Sequence, residues 1–352
     1  MSRRKVAVAL SGGVDSSLAA ALLKEAGHEV IGVHMKLWQH RPRTDDSPQS
    51  SGTGQDDARA VCQVLSIPFH SLDFSAQFQS QVVDYFCQEY AQGRTPNPCV
   101  VCNRLIKFDL LLKAVEDLGA ECLATGHYAR IEAPAGNYHL LKAARPSVDQ
   151  SYFLYTLKQG LLPHLMFPLG EYSKPQVRQM AAERGLPVAE KPKSQDLCFV
   201  PDGHHGDFLQ GRIAPAPGDI VDSKGTVLGR HRGIAFYTVG QRTGLGIATG
   251  QRLFVLRLDP VSNTVVVGPE ENLLASGLRA NNLSFVCVKP QRPLEVSAKI
   301  RFRTPEVSAR LKVFTEEAEV VFDQPQRAIA PGQAVVFYHG DVVLGGGIIE
   351  AS

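Results

Sequence analysis

Up to about residue 200, short apolar runs of strand length alternate with stretches whose apolar residues recur at helical spacing. The runs at 6–10, 30–35 and 122–126 predict strands. The stretches 17–26, 56–65, 75–91, 103–118 and 173–184 predict helices. Gly27 stands where a C-terminal cap belongs, and Ser173 with Gln176 forms a capping box. Strands and helices in alternation imply a parallel sheet covered on both faces. Residues 39–55 hold almost no apolar side chain and predict a mobile loop.

After about residue 205 the rhythm shortens. Glycine and proline become frequent, and β-branched runs at 219–221, 234–239, 253–258 and 264–267 predict a small unit rich in strands and turns. From about 278 come runs at 283–288, 295–303, 307–314, 318–322, 334–338 and 342–349. The alternation in Lys299-Ile300-Arg301-Phe302-Arg303 indicates a half-buried sheet or small barrel. The expected divisions are 1–205 (α/β), 206–277 (β-rich) and 278–352 (β-barrel).

Composition narrows the class. A chain of 352 residues with 44% hydrophobic content can build two or three cored domains. No apolar run approaches the roughly 18 residues needed to span a membrane. The N-terminus is basic and then apolar, but its apolar part is five residues long and runs into glycines. No export signal is therefore expected, and a cytoplasmic location is. Seven scattered cysteines fit a reducing compartment, where thiols serve catalysis or metals more than staples. The net charge of +2 matters less than its distribution. Arg279, Lys289, Arg292, Lys299, Arg301, Arg303, Arg310 and Lys312 face only Glu295 and Glu306 within 279–312, while acids gather at 316–323. Such a stretch suggests RNA, or simply a solvated face.

The richest candidate chemistry lies near the N-terminus. Ala9-Leu10-Ser11-Gly12-Gly13-Val14-Asp15-Ser16 joins a strand to a helix through two glycines and hydroxyl side chains. Glycine lets backbone approach a ligand, and a helix N-terminus offers free N–H groups to an anion. No lysine lies between Lys5 and Lys24, so this is no Walker loop, and the dinucleotide fingerprint is absent. It resembles the SGGxDS loop of PP-loop ATP pyrophosphatases, which adenylate an oxygen and release pyrophosphate.

Two cysteines stand beside basic residues. Cys102 lies in Arg94-Thr-Pro-Asn97-Pro98-Cys99-Val-Val-Cys102-Asn-Arg104-Leu-Ile-Lys107, and Cys198 in Lys191-Pro-Lys-Ser-Gln-Asp-Leu-Cys198. A helix beginning near Cys102 would favour its thiolate by only about 0.3–1 kcal/mol, less than one pKa unit. Arg104 and Lys107 could add to that. Cys62, Cys87, Cys122 and Cys287 read as small apolar residues.

Together these segments resemble the bacterial tRNA-specific 2-thiouridylases. The resemblance rests on residues 11–17, 34–38, 94–108, 124–130, 149–154, 191–201 and 237–246, in order, across essentially the whole chain. It implies a PP-loop α/β domain, a small central β domain and a C-terminal barrel. It implies that residues 9–16, Met35 and Gly126 hold ATP with Mg2+, and that Asn97, Pro98 and Cys99 meet the target uridine. Asp149, Gln150, Ser151, Arg301 and Phe302 would contact tRNA. Cys198 would carry a persulfide, with Cys102 its partner. The implied reaction is replacement of the wobble uridine C2 oxygen by sulfur in glutamate, glutamine and lysine tRNAs. The implied enzyme is a monomer fed by a cysteine desulfurase or sulfur-relay protein, with no membrane partner. Many relatives carry Asp where this chain has Cys99, which opens a second route: an iron–sulfur cluster on Cys99, Cys102 and Cys198. Small-molecule PP-loop ligases and an RNA-binding protein with a relic loop are the rival classes. Neither needs both the cysteine pair and a basic barrel.

Overall fold

The computed structural model describes residues 3–38, 54–192, 197–200, 205–248 and 250–351. Most of the 39–55 stretch, and residues 193–196 and 201 of the Cys198 motif, lie outside them. The chain divides into two compact units. One comprises 1–81, 99–199 and 341–343, the other 82–98, 200–340 and 344–352.

The first unit holds a parallel sheet of β1 (Lys5–Ala9), β2 (Glu29–Lys36), β3 (Phe69–Asp73), β4 (Cys122–Ala124) and β7 (Leu165–Met166), in the order β3-β2-β1-β4-β7. β1 is central and apolar from Val6 to Ala9 because helices cover both faces: Val6, Ala7 and Val8 have no exposed surface. α1 (Val14–Glu25) packs Leu18, Ala19 and Ala20 into the same core. Gly27 closes it with φ +87°, its N–H bonded to the Lys24 carbonyl. The capping box at Ser173 forms as the spacing predicts and opens the helix Lys174–Glu183. β3 escapes the pattern reading because it is an edge strand with no buried residue. A hairpin of β5 (Ala129–Glu132) and β6 (His139–Lys142) completes the strands of this unit, with Leu141 opposite Val342.

The helical stretch predicted at 103–118 begins at Pro98 instead. Pro98–Val101 is an α-turn that passes into a π-helical segment, Cys102–Leu111, and then Leu112–Asp117. Proline is pre-set for a first helical position, so the Pro-Asn-Pro run starts the helix.

In the second unit, β8 (Gly218–Val221), β9 (Val227–His231), β10 (Phe254–Asp259) and β11 (Thr264–Gly268) form a sheet in the order β10-β11-β8-β9. The run 234–239 is not a strand. Ile234–Phe236 is a single 3-10 turn, and Ile234, Ala235, Tyr237 and Val239 are apolar because they plug the core. β12 (Leu274–Phe285), β13 (Leu294–Lys299), β14 (Val307–Val313), β15 (Ala318–Arg327), β16 (Ala334–His339) and β17 (Val342–Ala351) follow. Pairing of β12 with β17 closes these six into a barrel. β14 alternates as expected, with Ala309 and Leu311 buried between exposed Ser308, Arg310 and Lys312. Sheet register, however, sets Glu319 opposite both Arg279 and Lys312, and Glu295 opposite Arg310. The basic stretch is thus interleaved with carboxylates that sequence distance had hidden. Among the described residues no helix is long and apolar enough to cross a membrane.

Candidate active site

Strand order reverses between β1 and β4, and in such sheets ligands bind beyond the carboxyl ends of the strands at that point. Residues 9–16 leave β1 there, Gly126 follows β4, and Met35 lies near the same end of β2. The loop is already shaped. Gly12 has φ +75°, and a Cβ on it would lie 2.4 Å from the Gly54 carbonyl oxygen. A Cβ on Gly126 would lie 2.7 Å from the Ser16 nitrogen, so only glycine lets β4 approach the start of α1. Ser16 Oγ accepts from the Ser11 N–H at 3.1 Å and Ser17 Oγ donates to the Gly13 carbonyl at 2.9 Å. These bonds hold the loop open as a cradle of backbone N–H groups.

Sequence reasoning looked for a lysine inside the loop; the fold brings two from far away. Lys174 Nζ lies 2.6 and 2.7 Å from the Asp15 carboxylate oxygens. Lys191 Nζ donates to the Gly12 carbonyl at 3.2 Å and pairs with Asp57. Tyr128 Oη donates to Asp15 at 2.7 Å, and burial together with that carboxylate pushes its phenol pKa far up. Sequence separations above 110 residues left no local signal for any of these. Only the capping box that fixes the first turn of the Lys174 helix hinted at one.

The second cluster is thiol-rich. Cys99 and Cys102 share the helical segment, and Cys198 is close enough for its charge to act on both. Lys107 acts on all three thiols and on His127. Burial lifts the Cys99 thiol to about 11 and Cys102 to about 12, against which Lys107 pulls down. The expected dipole help at Cys102 is therefore overturned: the residue sits one turn inside the helix and 7% exposed, and desolvation outweighs the positive end. Cys198 differs. Its side chain is exposed, yet enough protein crowds it to raise its pKa as well. The next residue, Phe199, is buried, with its ring edge-on to Phe78 and Trp38 at 5.8 and 6.3 Å, which fixes where Cys198 stands. Of the lysines that sequence proximity offered to Cys198, Lys191 serves the glycine loop and Lys193 lies outside the described residues; Lys107 acts on the thiols. His127 is held by Thr125 at 2.7 Å and lies between Phe108 and Phe167; burial and then Lys107 keep it neutral. Asn103 is buried, donates to the Phe153 carbonyl at 3.1 Å, and keeps one acceptor oxygen without a partner. Cys99, Cys102 and Cys198 are all free thiols. No three His, Cys, Asp or Glu side chains among the described residues converge to hold a metal ion.

Three family profiles match in order: "tRNA methyl transferase HUP domain" over 4–202, "tRNA methyl transferase PRC-barrel domain" over 206–269 and "Aminomethyltransferase beta-barrel domain" over 275–349. A tRNA-specific 2-thiouridylase of Clostridium perfringens is 46% identical over 358 residues, covering 100% of this chain and 99% of its own. One of Geobacter metallireducens is 49% identical over 359 residues, covering 99% and 98%. The chain belongs to the tRNA-specific 2-thiouridylase family. A third relative, from Moorella thermoacetica, is 48% identical and covers 98% of this chain.

The residues that this family resemblance marks for RNA stand as follows. Asn97 and Pro98 lie in the second unit, where Gln333 donates to the neighbouring Thr95 carbonyl at 2.8 Å. Cys99 lies in the first. Asp149 and Ser151 are buried: the Asp149 carboxylate accepts from the Ala143 N–H at 2.9 Å and the Ser151 hydroxyl at 2.8 Å. Gln150 clamps the Tyr128 backbone, its N–H donating at 2.9 Å and its side-chain oxygen accepting at 3.0 Å. Arg301 donates to the Val239 and Ala328 carbonyls at 3.2 and 2.8 Å, and the Phe302 ring lies 5.8 Å from Lys299 Nζ.

Proposed function

We propose that this protein is a tRNA-uridine 2-sulfurtransferase that uses ATP to replace the C2 oxygen of wobble uridine 34 by sulfur. Full-length likeness to 2-thiouridylases carries the reading. The pairing of a phosphate loop with the Cys102/Cys198 cluster in one unit supports it.

A uridine C2 carbonyl is a poor electrophile. Its oxygen attacks the α-phosphorus of ATP and pyrophosphate leaves, which turns that oxygen into a good leaving group. Backbone N–H groups of residues 9–16 and the ammonium groups of Lys174 and Lys191 neutralise the phosphate charge. Met35 and Gly126 line the nucleotide. Mg2+ accompanies the nucleotide's own phosphates, and no protein ligand is assigned to it. The terminal sulfur of a Cys198 persulfide attacks C2 and AMP departs with the oxygen. Cys102 thiolate then attacks Cys198 Sγ. The persulfide bond breaks, sulfur stays on C2, and a Cys102–Cys198 disulfide remains for an external thiol to reduce. Exposure of Cys198 suits a residue that must be reloaded by a desulfurase or relay protein. Asn97, Pro98 and Cys99 would face the unstacked uridine, which suits an anticodon loop. Asp149, Gln150, Ser151, Arg301 and Phe302 would shape or touch the tRNA surface. The acceptors are glutamate, glutamine and lysine tRNAs, and the enzyme works as a cytoplasmic monomer with divisions at 205/206 and 277/278.

The test is incubation of unmodified glutamate tRNA with ATP, magnesium, a cysteine desulfurase and labelled cysteine, followed by nucleoside analysis. Labelled 2-thiouridine at position 34 is expected, absent without ATP and in Cys102→Ser and Cys198→Ser. Each variant should bind tRNA within about threefold of wild type, under 1 kcal/mol. A methylated nucleoside instead would reject sulfur transfer.

A further inference from the structure

The barrel's basic stretch is threaded with Glu295 and Glu319; another surface of the second unit carries a single such acid, Asp219 opposite Arg230. Residues 229–253 contain four arginines and no Asp or Glu. Arg230, Arg232, Arg242 and Arg252 are all exposed, and they line two adjoining cavities of about 470 and 460 Å3 that share the loop Gly244-Leu245-Gly246 as a common wall. Arg230 stands opposite Asp219 across β8 and β9, at a loose 3.9 Å; among the described residues the other three have no carboxylate oxygen within 4 Å.

The loop between the cavities is built rather than slack. Gly244 and Gly246 adopt φ +77° and +68°, which glycine accepts without strain and which leave no side chain in the way. Leu245 between them is buried in a core with Ile220, Tyr237 and Val255, so it nails the loop down. Gln241 staples the approach: it accepts from the Thr238 N–H at 3.1 Å and donates to the Thr243 carbonyl at 3.0 Å. Gly240 and Gln241 bond to Val255 of β10 at 2.8 and 2.9 Å. The guanidinium carbon of Arg232 lies 4.5 Å from the Phe236 ring centroid, a cation–π contact that restrains the side chain.

Three exposed guanidinium groups without a carboxylate within 4 Å among the described residues, and a fourth loosely paired, spread about open, bare backbone, suit a chain of phosphates better than a single small anion. We infer that the Arg230/Arg232/Arg242/Arg252 surface, with its Gly244–Gly246 saddle, is a binding site for the sugar-phosphate backbone of the tRNA substrate. This rests on the reading that tRNA is the substrate. The site supplies affinity and register through phosphates, with no sequence information.

The test compares wild type with the double variant Arg242→Ala/Arg252→Ala. Dissociation of full-length tRNA is measured from 50 to 300 mM salt, alongside ATP-dependent thiolation. Both side chains are exposed, and an unchanged melting temperature verifies the fold. The slope of log Kd against log salt should fall by about 0.7–0.9 per lost contact. Arg242→Lys/Arg252→Lys should keep most of it. KM for tRNA should rise while pyrophosphate release at saturating tRNA stays intact. An unchanged slope with unchanged thiolation overturns the site. An unchanged slope with impaired sulfur delivery from the desulfurase also overturns it and gives the surface to a protein partner. Failure of the parent reading looks different: wild type itself would then make no thiouridine.

Discussion

Cys102 meets two opposing influences. A positive helix end and Lys107 favour its thiolate, and burial opposes it; burial wins and lifts the thiol to about 12. A thiol with a pKa of about 12 is ionised to only about one part in ten thousand at pH 8. Cys198 is exposed and Cys102 is not. Iodoacetamide at pH 8 should therefore alkylate Cys198 well before Cys102. Labelling of Cys102 should keep accelerating up to about pH 11–12, since its thiolate fraction grows until the pH passes its pKa. Mass spectrometry of tryptic peptides reads both rates. Equal rates at pH 8 would show that burial does not govern Cys102.

The loop from β1 into α1 owes its form to close approaches that only glycine permits. Gly126→Ala forces a Cβ to 2.7 Å from the Ser16 backbone nitrogen, and Gly12→Ala adds a strained φ to a contact of 2.4 Å. Each should cost about 1–3 kcal/mol; the first pushes β4 from the start of α1 and the second pushes the loop from the Gly54 backbone. ATP-dependent pyrophosphate release should drop at least about tenfold, a barrier rise of 1.4 kcal/mol. Gly27→Ala is the control. It too has positive φ, but nothing lies within 4 Å of its added Cβ. It should lower stability by about 1 kcal/mol and leave catalysis intact. If all three behaved alike, the defect would be general instability rather than the cradle.

Within the second unit, distant segments are tied by a few charged donors. Arg301 bridges the Val239 carbonyl, ahead of β10, and the Ala328 carbonyl, after β15. Arg94 grips Glu89 at 2.8 Å and Glu350 at 2.8 Å, which ties 82–98 to the last strand. Charge-assisted bonds of this kind contribute about 1.5–3 kcal/mol each. Arg301→Ala should therefore lower the melting temperature by a few degrees, read by calorimetry. It should also weaken tRNA binding, because the surfaces it joins lose their register. A melting temperature equal to wild type would mean that the two carbonyls are satisfied without it.

Periodicity alone determined the parallel α/β unit, the β-rich remainder and most strands of the barrel, because a buried face must repeat with the period of its element. The Ser11–Ser16 loop and the capping box were equally legible, since their physics is confined to a few neighbouring residues. The structure was needed wherever partners lie far apart in the chain. It decided that 234–239 is a core plug and not a strand, since buried residues look alike in both. It started a helix at Pro98, which moved Cys102 from the helix end to its interior. It placed Lys174 and Lys191 on the glycine loop, where no local motif showed a lysine. It set Glu319 between Arg279 and Lys312, and left Arg232, Arg242 and Arg252 of the central sheet's loops without a carboxylate within 4 Å among the described residues. Charge, unlike hydrophobic period, has no repeat to betray its neighbours; only the register of the strands brings them together.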